Sequence, residues 1–249
     1  MKGVIVAAGL GLRLSPLTEN CPKPLLLVQG RPLIDYTIEA FARAGFEELG
    51  VVLGHNEEML GCYLRESLNH GVAVCCVHNE QYQRGNGTSV YAARAFVGSE
   101  PFVVSMADHL ISPQILSALL ARPCDRHILC VDREMKDGPA LDDPTKVWLD
   151  TQGRVRRIGK RLKRWHAVDV GVFLFQPRVF SYIEDLLEHA NGPCSITALA
   201  RHMIACGDEL HTSDVSGAFW LDVDTPHDLV YARRVLALRA RPEDLEGVP

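Results

Sequence analysis

Short apolar, β-branched runs alternate along the chain with segments whose apolar residues recur at helical spacing, which predicts a layered α/β domain. Residues 3–7 are apolar enough for a buried central strand, and a glycine-rich stretch follows directly. A proline-bounded segment then reaches Leu27 and Val28. Pro32 suits the first turn of a helix because it has no N–H to leave unbonded. Leu33, Ile34, Ile38, Phe41 and Ala42 line one face of that helix, and Gly45 ends it. Residues 49–53 read as the second strand, 57–69 as a helix, 72–77 as the third strand, 87–97 as a helix and 102–106 as a fully buried strand. Ser112-Pro113 opens the next helix, with the Ser side chain expected to accept from an unbonded N–H of the first turn.

The pattern then changes. Residues 127–131, 146–149, 155–158 and 168–175 are β-like with no long helix between them, so an antiparallel or mixed extension of a parallel sheet is expected. Helices return at 179–189 and 196–206, and the last runs from Pro226 to about Arg239. Residues 241–249 carry proline, glycine and acids and are expected to fray. No internal repeat or low-complexity tract interrupts residues 1–240, which are read as one domain.

Composition narrows the function classes. A chain of 249 residues can bury a sizeable core. Its formal charge of −5 argues against a dedicated nucleic-acid binder. No apolar run approaches the roughly 20 residues that span a bilayer, and the N-terminus reads as a strand rather than an export signal. The eight cysteines form no C-x-x-C pair and no Cys/His set at zinc spacing. They are expected to be reduced, mostly packing thiols of a cytoplasmic protein.

The first chemically informative stretch is Ala7-Ala8-Gly9-Leu10-Gly11-Leu12-Arg13, directly after a strand. Small residues let a ligand approach the backbone, whose N–H groups can cradle phosphate. The dinucleotide fingerprint fails because Leu14 stands where its third glycine belongs, and the P-loop pattern fails for want of a Gly-Lys-Ser/Thr ending. What remains is a phosphate cradle with a cation, Arg13, or a plain tight turn with an exposed Arg. Lys23, fixed between Pro22 and Pro24, suits a phosphoryl clamp beside that loop and otherwise is an ordinary surface lysine.

Asp108-His109 follows the strand at 102–106, and ligands of open α/β sheets gather at the carboxyl ends of strands. An acid there is well placed for Mg²⁺. Asp222-Val223-Asp224 ends another apolar run, and one of its acids is expected to face the site while the other faces away or caps the next helix. Arg84-Gly85-Asn86-Gly87-Thr88-Ser89 is a second flexible polar loop, whose Asn amide can meet a base edge. Basic residues crowd 154–164 (Arg154, Arg156, Arg157, Lys160, Arg161, Lys163, Arg164), usually a solvated face. Lys160 is singled out because Gly159 frees the backbone beside it, and Asp169 and Gly171 lie on the following strand. No nucleophile elbow and no H-E-x-x-H pair occurs.

Taken together these stretches resemble the nucleotidyltransferases that activate sugar phosphates, from Lys2 to about Arg234. Within that group the likeness is to CTP:inositol-1-phosphate cytidylyltransferases. It rests on Gly85-Asn86-Gly87, Asp108-His109, Ile158-Gly159-Lys160, Val168-Asp169 with Gly171, and Trp220-Leu221-Asp222-Val223-Asp224-Thr225. The resemblance implies a single three-layer, Rossmann-like α/β domain with a mostly parallel mixed sheet. It also implies transfer of CMP from CTP to a phosphorylated small molecule such as inositol 1-phosphate or a similar polyol or sugar phosphate, with release of pyrophosphate. Arg13, Lys23 and Asp108 would be catalytic; Ala7, Ala8, Gly9, Leu10, Gly11, Gly85, Asn86, Gly87, Thr88 and Ala107 would border the nucleotide with Arg13 and Lys23. His109, Lys160, Asp169 and Gly171 would hold the acceptor, and Asp108, Asp222 and Asp224 would hold Mg²⁺.

Similar domains load CMP onto phosphonates, so a hydroxyalkyl- or aminoalkylphosphonate acceptor is the alternative. From another class, a non-catalytic nucleotide- or RNA-binding module could use the basic run, against which the net negative charge and the lack of interleaved aromatics argue. No nucleic-acid partner is expected, and a homodimer is left open.

Overall fold

The computed structural model describes residues 1–66, 71–135, 144–189 and 192–239. Its first half is built of parallel strands linked by helices. Strand β1 (Lys2–Val6) leads through a loop to the small ribbon β2 (Leu27–Val28) and β3 (Arg31–Pro32), then to helix α1 (Leu33–Arg43). Strand β4 (Glu48–Leu53), helix α2 (Glu57–Glu66) and strand β5 (Ala73–His78) follow. Helices α3 (Asn86–Ala92) and α4 (Arg94–Val97) precede strand β6 (Phe102–Met106), strand β7 (His109–Ile111) and helix α5 (Pro113–Leu120). In the second half come β8 (His127–Asp132), β9 (Lys146–Leu149), β10 (Val155–Gly159) and β11 (Ala167–Phe175). Helices α6 (Val179–His189) and α7 (Ile196–Ala205), strands β12 (Leu210–Asp214) and β13 (Trp220–Asp222), and helix α8 (Pro226–Arg239) complete it.

The large sheet runs β10-β9-β11-β6-β1-β4-β5, with β8 and β12 joined to it through β11. Strands β6, β1, β4 and β5 are parallel, whereas β11 runs antiparallel to β6, β8 and β9. That is the mixed extension expected from the unbroken β-like runs. Alternation along each strand splits the core in two. Ile5, Leu49 and Val51 pack with α1, α2 and α5 on one face, while Val4, Val6 and Val52 pack with α3, α6 and α7 on the other. The result is three layers. A third, smaller cluster (Leu14, Leu26, Val28, Leu110, Leu221, Val223, Leu229) binds the loop after β1 to the β7–β13 ribbon and α8. This cluster delivers distant segments to one end of the sheet.

Several expectations are corrected. The helix expected over 87–97 starts at Asn86 and turns at Ala93, so that both Val90 and Val97 reach the core. Ser112 stands at the N-terminus of α5, but its hydroxyl is buried with no hydrogen-bond partner among the described residues, while its carbonyl takes the Ile115 N–H. The eight cysteines are free, yet only Cys130 and Cys194 are buried, while Cys62, Cys75, Cys76, Cys124 and Cys206 are exposed. Packing therefore explains few of them; Cys75 and Cys76 lie on β5, an edge strand with little cover. The end of the helix expected over 57–69 and the expected tail at 241–249 lie outside the described residues. Among the described residues no helix is long and apolar enough to cross a membrane.

Candidate active site

Neighbouring parallel strands β1 and β6 release their chains at the same edge of the sheet, as Ala7 N–H bonds Val52 O and Ala107 N–H bonds Val6 O. The glycine loop and Asp108 therefore stand side by side, at the carboxyl ends where open α/β sheets take ligands. A cavity of about 160 Å³ opens there, lined by Ala7, Ala8, Gly9, Lys23, Tyr82, Asn86, Ser89, Met106, Ala107 and Asp108. A second, of about 260 Å³, is lined by Arg13, His109, Thr145, Lys160, Asp169, Gly171, Thr197, Asp222 and Asp224. Asn86 and Met106 line both, so the two cavities share a wall.

Lys23 is no surface lysine. Its side chain is 10% exposed, and Nζ lies 2.5 Å from Asp108 Oδ2 and 2.7 Å from Asp224 Oδ1. Burial works to lower its pKa, but Asp108, Asp224 and Asp222 hold the ammonium above the usual lysine range. Burial likewise opposes ionisation of Asp224, yet Lys23 and Arg13 hold its carboxyl down at about 2. Arg13 reaches Asp224 Oδ2 at 2.5 Å from an exposed position.

His109 and Asp222 face each other across the β7–β13 ribbon. The Nδ1–H of His109 donates to Val170 O at 3.0 Å. Its Nε2 is thereby turned toward Asp222 Oδ1 at 3.5 Å and Asp108 Oδ1 at 3.7 Å. Both carboxylate oxygens are buried with no hydrogen-bond partner among the described residues. Asp108, His109 and Asp222 can bring one donor atom each within 4.8 Å of the others. A proton on Nε2 or on a carboxyl, or a cation, relieves such a set, and two carboxylate oxygens suit a hard divalent ion. Burial pushes the Asp222 carboxyl up to about 7, with Asp108 and Asp224 adding to it against the pull of His109. Burial would lower the His109 pKa, but Asp222 and Asp108 raise it.

The expected opposition of Asp222 and Asp224 does not hold, because positions two apart along an extended chain share a face. Strand β13 ends at Asp222, the backbone N–H of Asp224 bonds Asp228 Oδ2 at 3.1 Å, and both acids line the same cavity. Capping of α8 falls instead to Thr225 and Asp228. Asp228 Oδ2 accepts from Thr225 N, and Thr225 Oγ1 accepts from Asp228 N, a reciprocal box.

The second polar loop serves the protein more than an open cavity. Thr88 is buried, its hydroxyl bonded to Gly85 O, Gln81 O and Asn79 Nδ2. Asn86 Oδ1 accepts from Ile196 N at the start of α7, so its amide oxygen is engaged before any base arrives. Gly85 and Gly87 approach a neighbouring segment: a Cβ on either would come within 2.6 Å or 2.7 Å of the Cys194 carbonyl oxygen. Leu10 and Gly11 line neither cavity. Asp169 lines the larger one and accepts from Gly171 N at 2.7 Å. Burial pushes its carboxyl up to about 6. Gly171 has φ +77° at a break in the β11–β8 register, and any Cβ there would strike the His109 ring.

Sequence reasoning missed Tyr82, Ser89, Met106, Thr145 and Thr197. Met106 closes the strand before Asp108, and Ser89 follows Asn86 by one helical turn, so both carried a local signal. Tyr82, Thr145 and Thr197 carried none.

The nucleotidyl transferase family model matches residues 2–136, more than half of the chain. The chain belongs to the nucleotidyl transferase family. This nucleotidyl transferase is 40% identical over 232 residues to a bifunctional IPC transferase and DIPP synthase of Rubrobacter xylanophilus, covering 90% of this chain and 49% of that protein. It is 33% identical over 238 residues to the protein of the same name from Aquifex aeolicus, covering 95% and 52%. The chain thus spans about half the length of these curated relatives. Among solved structures it is similar to the inositol-1-phosphate CTP transferase from T. maritima, with a TM-score of 0.84 and 25% identity, covering 100% of this chain and 97% of that one. The set Asp108, His109 and Asp222 fits the divalent metal that nucleotidyl transferases generally use.

Proposed function

We propose that this nucleotidyl transferase moves CMP from CTP to the phosphate of inositol 1-phosphate. An acceptor phosphate oxygen attacks the α-phosphorus, the bond from that phosphorus to the bridging oxygen breaks, and pyrophosphate leaves. The observation that carries the reading is the shared wall: two cavities meet at Asn86 and Met106, with Lys23, Asp108, Asp222 and Asp224 beside that junction. Such an arrangement suits two phosphorylated substrates that must meet at one phosphorus. Likeness to the IPC transferases and to the T. maritima enzyme supports CTP and inositol 1-phosphate as the pair.

The acceptor phosphate has its second pKa near 6 and is mostly a dianion at neutral pH, so no general base is needed. Catalysis is then positioning and charge neutralisation. Lys23 donates to the α-phosphate, releasing Asp108 and Asp224, and Arg13 holds the β- and γ-phosphates. Ala7, Ala8, Gly9, Ala107 and the Asn86 amide border the nucleoside. Lys160 grips the acceptor phosphate, and Asp169 accepts from its hydroxyls beside His109 and Gly171. Asp108 and Asp222, with Asp224 adjoining, would hold Mg²⁺, which would supply Lewis-acid neutralisation of phosphate charge when bound. The reading assigns the reaction to the cytoplasm, where CTP is available.

The test is a grid of nucleoside triphosphates against phosphate and phosphonate acceptors, with pyrophosphate release as the readout. CTP with inositol 1-phosphate should stand out. Release only with a phosphonate, or only with another nucleotide, overturns the assignment of substrates. Tight nucleotide binding with no pyrophosphate under any pairing overturns the enzyme itself.

A further inference from the structure

Arg201 lies on α7, four residues after Thr197, so the two side chains leave the same side of the helix, and Thr197 lines the larger cavity. Its Nε–H donates to the carbonyl oxygen of Ile158 at 2.7 Å. Its guanidinium also presses on the next residue, since a Cβ built on Gly159 would come within 1.9 Å of Nη2. Gly159 has φ +150°, a conformation that side chains disfavour. The backbone thus favours glycine, and a side chain there would also have to displace the guanidinium from its place. The chain's next residue is Lys160, on the wall of the same cavity.

Strand β10 needs such a fastening. It is the outermost strand of its end of the sheet and takes ladder hydrogen bonds from β9 alone among the described strands. A turn follows immediately, with Leu162 N–H to Gly159 O at 3.5 Å. A lysine stem is flexible, so the reach of its ammonium depends on how firmly its backbone is held. A charge-assisted bond from a packed helix to the carbonyl two residues earlier supplies that hold.

We infer that Arg201 is a positioning residue, clamping the end of β10 so that Lys160 is held at the phosphate of the acceptor. The inference rests on reading the larger cavity as the acceptor site. It makes α7 a joint support for both substrates, because the same helix is tied to the nucleotide side through Ile196 N–H and Asn86 Oδ1.

Arg201→Met and Arg201→Lys separate this role from simple stabilisation. In pyrophosphate-release assays with inositol 1-phosphate, Arg201→Met should raise the acceptor KM about tenfold while the CTP KM stays within about twofold. Arg201→Lys keeps a donor for the Ile158 carbonyl and should recover most of that loss. In a Lys160→Ala background, Arg201→Met should add almost nothing to the acceptor KM, because both changes remove one interaction. Hydrogen exchange on the enzyme alone should show amides at 158–162 of Arg201→Met exchanging about tenfold faster, with α7 unchanged. Unaltered exchange, acceptor and CTP constants rising together, or full additivity with Lys160→Ala overturns the inference. An enzyme inert toward inositol 1-phosphate overturns the proposed acceptor instead, and exchange then decides the clamp alone.

Discussion

Lys23 donates to Asp108 at 2.5 Å although 85 residues separate them, and the same ammonium holds Asp224. Before substrates arrive, one buried cation thus bridges two of the acids that border the cavities. Lys23→Met takes the ammonium from Asp108 and leaves Asp224 with Arg13 alone. Losing one partner of a largely buried pair costs about 3 kcal/mol, so the metal-free variant should melt at lower temperature. Turnover should fall about 10²- to 10³-fold, with a smaller change in CTP affinity, because the contact strengthens at the transition state. Equal loss of CTP binding with unchanged turnover would count against the role.

Asp108→Asn keeps the shape of the side chain and removes one charge from an acid-rich cluster. It should abolish metal-dependent pyrophosphate release while the circular dichroism and melting temperature stay close to those of the wild type. Chelation of the wild-type enzyme should have the same effect, reversed by adding Mg²⁺ back. Near-normal turnover of Asp108→Asn rejects it as a metal ligand.

Asp169 yields a pH prediction with a definite sign. Burial places its carboxyl at about 6, above its ordinary value of 3.8, so the native state binds the extra proton between those limits. Its contribution to stability is therefore greatest below pH 4 and declines as pH rises through 6. Asp169→Asn, which cannot ionise, should gain stability relative to the wild type across that window, by about 1–2 kcal/mol above pH 7. Thermal melts at intervals from pH 4 to 8 check it; a difference that does not vary with pH would show an ordinary carboxyl. The same variant should raise the acceptor KM.

Gly85→Ala and Gly87→Ala test the contact with Cys194. Each new methyl group meets a carbonyl oxygen of the backbone, which yields less readily than a side chain. Gly85 adds φ +115° to that clash. The expected cost is about 2–4 kcal/mol in urea unfolding, the larger for Gly85. A neutral Gly87→Ala would mean that the loop carrying Asn86 can shift without penalty.

The elements were legible where the signal was local. Helices α6 and α8 and strand β9 run over the residues that periodicity and the flanking prolines mark out. Most of the acids and glycines of the candidate site were legible for a related reason, since they end a strand or open a turn, although Asp169 and Gly171 lie inside β11. The use made of them was not. Asn86 looked free to read a base, yet its oxygen is taken by an N–H 110 residues away. Asp222 and Asp224 were expected to oppose each other, yet both line one cavity, as their two-residue spacing allows, and the Thr225–Asp228 box takes over the capping of α8. Arg201 had no signal at all, as the carbonyl it holds lies 43 residues earlier.

Order of elements, layer faces and strand-end chemistry were written into residue spacing, because backbone hydrogen bonding and side-chain direction repeat over a few residues. Partners and protonation came only with folding. Whether Lys23 is buried, whether burial raises the Asp222 carboxyl while Lys23 and Arg13 hold that of Asp224 down, and which side chain steadies Lys160 are set by groups far apart in the chain. Charge interactions and desolvation depend on distance in space, and that distance exists only once the sheet has closed its register.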